Sequence, residues 1–372
     1  MDPRSQFCPN PACPARGRLE RGNVAVHSRK ARRYVCRACG RTFAETRGTP
    51  FYRLHKAAEL MTTVLTLLSH GCPVRAVVAA FGLDERTVAA WQARGGSHCR
   101  AVHAHLVLAG RVDLGHVQAD ELWVKRAGGK LWQAMALAVP SRLWLGGALS
   151  PTRDLALIIG LVRQVRASAG SPAILVCVDG LRSYVTAFRR VFRRAERTGR
   201  RGRPRLVPED GLLLGQVVKC YVKRHVASVE QRAVQGTAEA IAAVPAATGT
   251  GATINTAYIE RLNATFRARL AALTRRGRAI ARTEATLTAG MYLVGAAYNF
   301  CSEHASLRQA APPGGPRAGR GRTPAMAAGL TDHRWTMDEL LRYRVPPPAW
   351  VPPKRRGRPP KQTTPQPLAT AA

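Results

Sequence analysis

Acidic residues are scarce in this chain. Its 372 residues include 22 Asp and Glu against 58 Lys and Arg, which gives a formal net charge of +36. A generic metabolic enzyme acting on small neutral substrates does not need such an imbalance, so we set that class aside. A polyanionic partner, above all nucleic acid, is the first expectation. A compositional bias towards Arg, Ala, Gly and Pro is the alternative, but such a bias does not by itself remove acidic residues.

Long hydrophobic runs are also missing. The longest clean one, Leu155–Val162, is too short to cross a membrane and suits a buried helix. The first residues contain no apolar segment typical of a secretory signal, so the sequence predicts no membrane partner and a cytoplasmic, nucleoid-associated location. Hydrophobic residues nevertheless make up 46% of the chain, and its length favours two or three domains with a buried core.

Cysteine is infrequent, but four of the nine cysteines form two close pairs. Four residues separate Cys8 from Cys13, and two separate Cys36 from Cys39. Pairs at this spacing let two turns present four thiolates to one tetrahedral Zn²⁺. We therefore predict that residues 1–50 form a zinc ribbon in which structural zinc supplies folding energy. Four unligated buried thiols are the alternative.

Short helical periods within residues 51–105 predict a helix-turn-helix. The first helix covers residues 74–81, and Asp84 caps a second helix that ends near Ala93. An ordinary pair of antiparallel helices is the alternative, but a zinc ribbon and a strongly basic chain favour DNA binding. The side chains expected to face outward and contact DNA are those of Arg86, Gln92 and Arg94.

Three carboxylates stand in apolar elements. Asp120 lies in a strand, Asp179 ends a buried strand, and Glu260 lies on the polar stripe of a late helix. Because alternate strand residues face opposite sides, only one of Asp120 and Glu121 can join a given site, and spacing alone does not decide which. For each acid singly, a solvated or salt-bridged carboxylate is the alternative. The polar stripe of the late helix also carries an amide and a guanidinium, those of Asn263 and Arg267.

The order of the predicted elements gives these carboxylates a common layout. Three strands, a helix, a fourth strand and a late helix are the order of a ribonuclease-H-like core, expected over residues 110–305. Three carboxylates in such a core can hold two Mg²⁺ ions, or Mn²⁺, for in-line phosphoryl transfer. The sequence therefore predicts a multidomain protein of mixed α/β and α+β class with a mixed-sheet catalytic core.

Together these motifs resemble the DDE transposases of bacterial insertion sequences, of the insertion-sequence-one type. The resemblance covers roughly residues 5–305, and its last segment is the most specific. The matching features are the four-cysteine ribbon, the helix-turn-helix, Asp120–Trp123, Val178–Gly180 and Asn255–Arg267.

The resemblance implies a catalytic triad of Asp120, Asp179 and Glu260, and so favours Asp120 over Glu121. It implies a supporting role for Asn263 and Arg267. It also implies binding of the terminal inverted repeats of double-stranded DNA, followed by Mg-dependent strand cleavage and strand transfer. Because two ends must be joined, we expect at least a homodimer on DNA.

One internal segment departs from the resemblance. The interval between Asp179 and Glu260 is longer than a compact core needs, so residues from about 193 to 250 are predicted to be an insertion. A basic loop lies in this segment, and we expect it to contact DNA through Arg201 and Arg203.

The last part of the chain is rich in Pro, Gly and Arg, and residues 306–372 are predicted to be a largely disordered tail. Within it Lys354–Lys361 resembles an AT-hook, in which Arg356 and Arg358 would lie in a narrow minor groove. A solvated basic tail is the alternative.

Two further functions stay open from the sequence. One is a non-catalytic zinc-ribbon and helix-turn-helix regulator, for example a domesticated transposase with a silent core. The other is a structure-specific nuclease, which shares the core chemistry but performs no strand transfer. A basic structural protein would leave the placement of the carboxylates unexplained.

Overall fold

The computed structural model describes residues 1–197, 199, 202–223, 225–274, 280–281, 283–309 and 319–352. The chain divides into two compact units, Met1–Arg47 with Pro346–Ala372, and Gly48–Val345. The predicted domains 51–105 and 110–305 both fall within the second unit. Among the described residues, no helix is long and apolar enough to cross a membrane.

A three-stranded antiparallel sheet forms the first unit. Its strands are β1 (Val24–Ser28), β2 (Arg33–Cys36) and β3 (Thr42–Ala44), in the order β1-β2-β3. Tyr34 and Phe43 are buried together with Val24, and the two rings stack with their centroids 5.8 Å apart. So few apolar side chains make a small core, which is why this unit needs a further source of stability.

Three helices open the second unit: α1 (Ala58–Ser69), α2 (Val74–Phe81) and α3 (Glu85–Leu106). Helix α2 covers the predicted residues, and the Asp84 side chain caps α3 by accepting a hydrogen bond from the Arg86 backbone N–H. Helix α3 does not end near Ala93 but continues for another three turns.

The reason for the longer helix is a glycine pair that permits close packing. A Cβ atom at Gly96 would lie 2.3 Å from the Ala289 carbonyl oxygen of a later helix. Gly95 similarly faces the Leu65 side chain of α1. The two glycines, which in a sequence indicate a helix end, instead bring α3 into the core of the second unit.

An antiparallel meander and a parallel strand form the centre of the main sheet. As the sequence predicts, three strands precede helix α4, which follows the Asp154 cap, and a fourth strand ends at Asp179. The fourth strand pairs parallel to the first. These elements are β4 (His116–Arg126), β5 (Gly129–Ala138), β6 (Leu143–Ser150), α4 (Leu155–Ser168) and β7 (Leu175–Asp179).

The predicted insertion at 193–250 is not separate from this sheet. The elements of this part are α5 (Arg182–Val191), β8 (Arg193–Glu196), β9 (Arg205–Pro208), β10 (Leu213–Val222), β11 (His225–Gln235) and α6 (Ala238–Ala247). Strand β10 pairs parallel to β7 from Leu213 to Val217, so the sheet has six strands in the order β11-β10-β7-β4-β5-β6. Among the described residues, β8 and β9 form a two-stranded sheet of their own.

Two long helices complete the unit, α7 (Ala257–Arg269) and α8 (Glu284–Ala296). Helix α7 packs against β4 and β5, and α8 packs against α3. Trp144 of β6 is fully buried, and its ring contacts those of Phe266 of α7 and Tyr292 of α8. This shared aromatic contact fixes α7 against the sheet.

The prediction of a largely disordered tail from residue 306 is wrong for residues 319–345. Two short helices form there, α9 (Pro324–Ala327) and α10 (Met337–Arg342). A capping box between Thr336 and Glu339 starts α10, and Leu340 and Leu341 are fully buried in the main core. The Pro- and Arg-rich composition hides this short amphipathic segment. Residues 310–318 and 353–372, with the AT-hook resemblance, lie outside the described residues.

Replacement of Leu340 by Ala should destabilise the second unit. Because the side chain is 0% exposed, the change leaves a cavity that costs about 2–5 kcal/mol of unfolding free energy. Leu206→Ala is the matched control, since Leu206 is 49% exposed and its loss should cost less than about 0.5 kcal/mol. Urea denaturation measures both, and equal effects would show that α10 is not part of the core.

Candidate active site and candidate zinc centre

Four cysteine sulfur atoms converge in the first unit. Cys8 Sγ lies 3.7 Å from Cys39 Sγ, and Cys13 Sγ lies 3.8 Å from Cys36 Sγ. All four atoms lie within 4.8 Å of one another. A tetrahedral zinc site with Zn–S bonds of about 2.3 Å places its sulfur atoms about 3.8 Å apart. The cluster therefore fits zinc, as the cysteine spacing predicts.

Local turns aim these thiols at one point. The Gly40 backbone N–H donates to the Cys36 carbonyl oxygen over 2.8 Å, and Gly40 has a left-handed φ of 68° that a residue with a side chain rarely adopts. Asn23 Nδ2 donates to Cys36 Sγ over 3.4 Å. Burial opposes ionisation of Cys39, yet hydrogen bonds from Asn10 and from the Arg41 backbone lower its pKa to about 7. A thiol that ionises near neutral pH is suited to ligate a metal.

Zinc content tests this centre. Cys13→Ser should lower bound zinc from one ion per chain to a small fraction, because a three-thiolate site loses one of four bonds. Cys220→Ser is the matched control, since Cys220 is exposed and lies outside the cluster. Metal analysis of both purified variants decides the matter, and full zinc occupancy in Cys13→Ser would contradict the assignment.

The candidate active site begins where the two central parallel strands separate. Strands β4 and β7 pair in register from His116 and Leu175 to Gln118 and Cys177, and no further. Asp120 and Asp179 follow two residues later on the two strands. Side chains at the carboxyl ends of neighbouring parallel strands share one edge of the sheet, so these two carboxylates lie together.

Asp120 is held by two hydrogen bonds. Its Oδ1 accepts from the Glu121 backbone N–H over 2.9 Å, and its Oδ2 accepts from Asn263 Nδ2 over 2.7 Å. Burial raises the pKa of Asp120 to about 7, and the negative charges of Glu121, Asp179 and Glu260 add to the shift. The structure thus places the Asn263 side chain against the Asp120 carboxylate.

Glu121 also joins the site, which the alternation of strand residues does not predict. One of its oxygens accepts hydrogen bonds from Arg153, and the other accepts one from the Tyr184 hydroxyl over 2.7 Å. Oxygen atoms of Asp120, Glu121 and Asp179 all lie within 4.8 Å of one another. The two neighbours nevertheless face different spaces: Asp120 lines the cavity that it shares with Asp179, whereas Glu121 lines a neighbouring cavity.

The Glu121 carboxylate is almost fully enclosed. Its side chain is 1% exposed, whereas that of Arg153 is 38% exposed. Burial raises the pKa of Glu121, as does the charge of Asp179, while the bonds from Tyr184 and Arg153 act in the opposite direction. Glu121 is therefore fixed among protein donors rather than open to solvent.

Asp179 ends β7 and is followed by Gly180, which packs against β10. The Asp179 Oδ1 accepts from the Leu181 backbone N–H over 2.9 Å, and its Oδ2 lies 3.4 Å from Arg153 Nη2. A Cβ atom at Gly180 would lie 3.3 Å from the Val218 side chain of β10, so a larger residue there would require that side chain to shift slightly. The Asp-Gly pair thus sets a carboxylate at the strand end while β10 packs closely.

Glu260 lies on helix α7 across the same cavity. Lys219 Nζ donates to its Oε1 over 2.5 Å, and the Thr256 hydroxyl donates to the same atom over 2.9 Å. Burial opposes its ionisation, but these two hydrogen bonds lower its pKa. The cavity has a volume of about 520 Å³ and is lined by Asp120, Asp179 and Glu260. The three predicted carboxylates therefore face one space.

Gln118 is a positioning residue that the sequence analysis missed. Its side chain is fully buried, and its Oε1 accepts from the backbone N–H groups of Tyr258 and Ile259, each over 3.0 Å. Its Nε2 donates to the Asn255 carbonyl oxygen over 2.7 Å. One amide thus caps the start of α7 and ties it to β4, two residues before Asp120. A polar residue on the same strand face as Asp120, two positions before it, was the available signal.

The donor set of this site fits a divalent cation. Carboxylate oxygens are the ligands that Mg²⁺ and Mn²⁺ prefer. Among the described residues, two side-chain cations, those of Arg153 and Lys219, donate hydrogen bonds to carboxylates of this site, which has four carboxylates. Asn263 Oδ1 is also buried without a hydrogen-bond partner among the described residues, so a donor such as water is needed there. The acidic cluster could therefore hold a metal ion.

Other predicted residues lie elsewhere. Arg86 and Arg203 are exposed, whereas Gln92 and Arg94 are half-buried. Arg94 donates to the Tyr52 carbonyl oxygen. Arg267 lines a neighbouring cavity of about 160 Å³ that does not include Asp179. Three predicted DNA contacts lie outside the described residues: Arg201, Arg356 and Arg358.

No model of a protein family matches the chain, and no curated protein matches it.

Replacement of Asp120 by Asn should stabilise the chain without added divalent metal. Folding raises the pKa of Asp120 from 3.8 to about 7, so its ionisation at pH 8 opposes folding. We expect a gain of about 1–3 kcal/mol in unfolding free energy at pH 8 that shrinks as the pH falls towards 4. Urea denaturation at several pH values measures it.

Glu260→Gln is the control with the opposite sign. Because the pKa of Glu260 is lowered, its ionised form stabilises the fold above its unfolded pKa, and the loss at pH 8 should be below about 1 kcal/mol for this half-exposed group. Equal effects of the two variants would contradict the described electrostatics.

Proposed function

We propose that this chain is a DDE transposase of the insertion-sequence-one type, which binds the ends of its element and cuts and joins DNA strands. The observation that carries the proposal is the convergence of Asp120, Asp179 and Glu260 on one open cavity. Two come from neighbouring parallel strands and one from a late helix, in the order that the motifs of the family imply. A net charge of +36 supports nucleic acid as the substrate.

In this proposal the carboxylates hold the catalytic metal ions. Divalent cations bound there supply Lewis-acid stabilisation of an in-line phosphoryl transfer. Asn263 holds the Asp120 carboxylate in place through its 2.7 Å hydrogen bond. Arg153 and Lys219 line the same cavity and are suited to bind the oxygens of the phosphate that is cut. Glu121 keeps Arg153 at the rim of the cavity by its buried ion pair.

The zinc centre and the basic surface serve DNA binding in the same proposal. The exposed Arg86 at the start of α3 contacts an end of the element, and Arg203 contacts the backbone of the duplex. Half-burial of Gln92 and Arg94 supports a smaller role for them than the sequence suggests. Because two ends are joined, two copies of the chain act together.

A cleavage and strand-transfer assay tests the proposal. A plasmid that carries the gene with its native flanking DNA is incubated with Mg²⁺ and either the original chain or Asp179→Asn. We expect nicking at the flanks and joined products from the original chain, and a loss of roughly a hundredfold or more in the variant. DNA affinity should be kept, because the substitution leaves the basic surface intact.

Asp113→Asn is the matched control, because Asp113 is exposed and does not line the cavity. It should cut and join like the original chain. DNA binding with no cutting by any of the three proteins would point to a non-catalytic regulator and overturn the proposal. Cutting directed by DNA shape, with no joined products, would point to a structure-specific nuclease.

A further inference from the structure

A second cavity lies on another face of helix α7. Its volume is about 270 Å³, and none of the described residues that line it is acidic. The polar residues that line it include Arg142, Arg261, His304 and Ser306, together with the hydroxyl-bearing Tyr258, Thr265 and Tyr298. Two guanidinium groups and an imidazole therefore share a space that the candidate active site does not use.

Arg142 is held at this cavity by the protein. Its guanidinium lies 4.0 Å from the centre of the Tyr258 ring, and its Nε donates to the Ser306 hydroxyl over 3.3 Å. The residue has a left-handed φ of 58°, a conformation that favours glycine. The Tyr298 hydroxyl donates to its carbonyl oxygen over 3.0 Å. Packing thus fixes an arginine in a backbone conformation in which side chains are uncommon.

The positive charge of this cavity is not balanced by acids. Among the described residues, no carboxylate forms an ion pair with Arg142 or Arg261. Burial lowers the pKa of His304, and the charges of Arg142 and Arg261 lower it further. Arg142 Nη1 also donates to the Val139 carbonyl oxygen, which is neutral. An oxyanion is the ligand that would neutralise two guanidinium groups beside a hydroxyl.

We propose that this cavity binds a phosphate group of the DNA backbone through Arg142, Arg261 and His304. The choice of DNA rests on the proposed function. Arg261 follows Glu260 on α7 but faces the second cavity, so the two sites are separated by about the 10 Å width of a helix. A duplex in the candidate active site carries further phosphates within that range. The cavity would thus hold one backbone phosphate while a nearby phosphate is cut in the candidate active site.

Histidine NMR on the full chain tests this proposal. The protein has 10 histidines, and ¹³C-labelled rings are compared with those of His304→Gln to assign the His304 signal. Pyrophosphate alone and a DNA duplex are titrated separately in a phosphate-free buffer. We expect the His304 signal to shift saturably with the duplex. We also expect Arg261→Gln to remove the shift and to lower the slope of log affinity against log salt by about one.

Arg261 and Arg163 are both exposed on helix surfaces, so Arg261→Gln and the control Arg163→Gln should both fold. The control should keep the His304 shift. No saturable shift with either ligand would overturn the proposal, and a shift with pyrophosphate alone would overturn DNA as the source and indicate a free phosphate ligand. Because neither titration requires cutting, a chain without transposase activity that shows the duplex response would refute the proposed function and leave this site standing.

Discussion

Mutual repulsion among closely spaced carboxylates is the unfavourable interaction that the second unit has to offset. Asp120, Glu121 and Asp179 approach within 4.8 Å of one another at the end of two parallel strands. Left alone, such a group would spread apart or take up protons. Burial raises the pKa of Asp120, and the neighbouring negative charges raise it further, so part of this cost remains in the fold. Backbone N–H groups, the Tyr184 hydroxyl and Arg153 offset the rest by donating to the three carboxylates.

The relative positions of the carboxylates also have to be maintained. They depend on the hydrogen bonds that link β4 to α7. Gln118 accepts from two backbone N–H groups at the start of α7, where a helix leaves its donors unpaired. Asn263, further along α7, returns a hydrogen bond to Asp120. The strand that carries one carboxylate and the helix that carries Glu260 are therefore bonded at two points. A displacement of α7 would break both contacts, so these two hydrogen-bonded points hold Glu260 of α7 at a fixed distance from Asp120 of β4.

Much of this arrangement follows from the sequence, and the remainder depends on tertiary contacts. The apolar run that ends at Asp179 indicates a buried strand with an acid at its end, because burying that acid would be costly. Alternation assigns Glu121 to the face opposite Asp120 but contains no information on where paired strands diverge. The length of α3 was hidden because Gly96 favours a helix end unless another helix packs on it. Leu340 lies in a Pro- and Arg-rich stretch, and its short helix is stabilised by packing on the core, which the local sequence does not reveal.

Arg153 and Lys219 neutralise part of the negative charge of the carboxylates when no metal ion is bound. Their contacts are also weak enough for a metal ion to replace them. Arg153 and Lys219 have long side chains that are 38% and 33% exposed, so water reaches their contacts with Asp179 and Glu260. Their ion pairs with Asp179 and Glu260 are correspondingly weak, since solvent screens them. The buried pair of Arg153 with Glu121 is the stronger one, because the carboxylate has no access to water. Arg153 can therefore release Asp179 while it remains anchored to Glu121, which leaves a carboxylate free and a guanidinium fixed beside it.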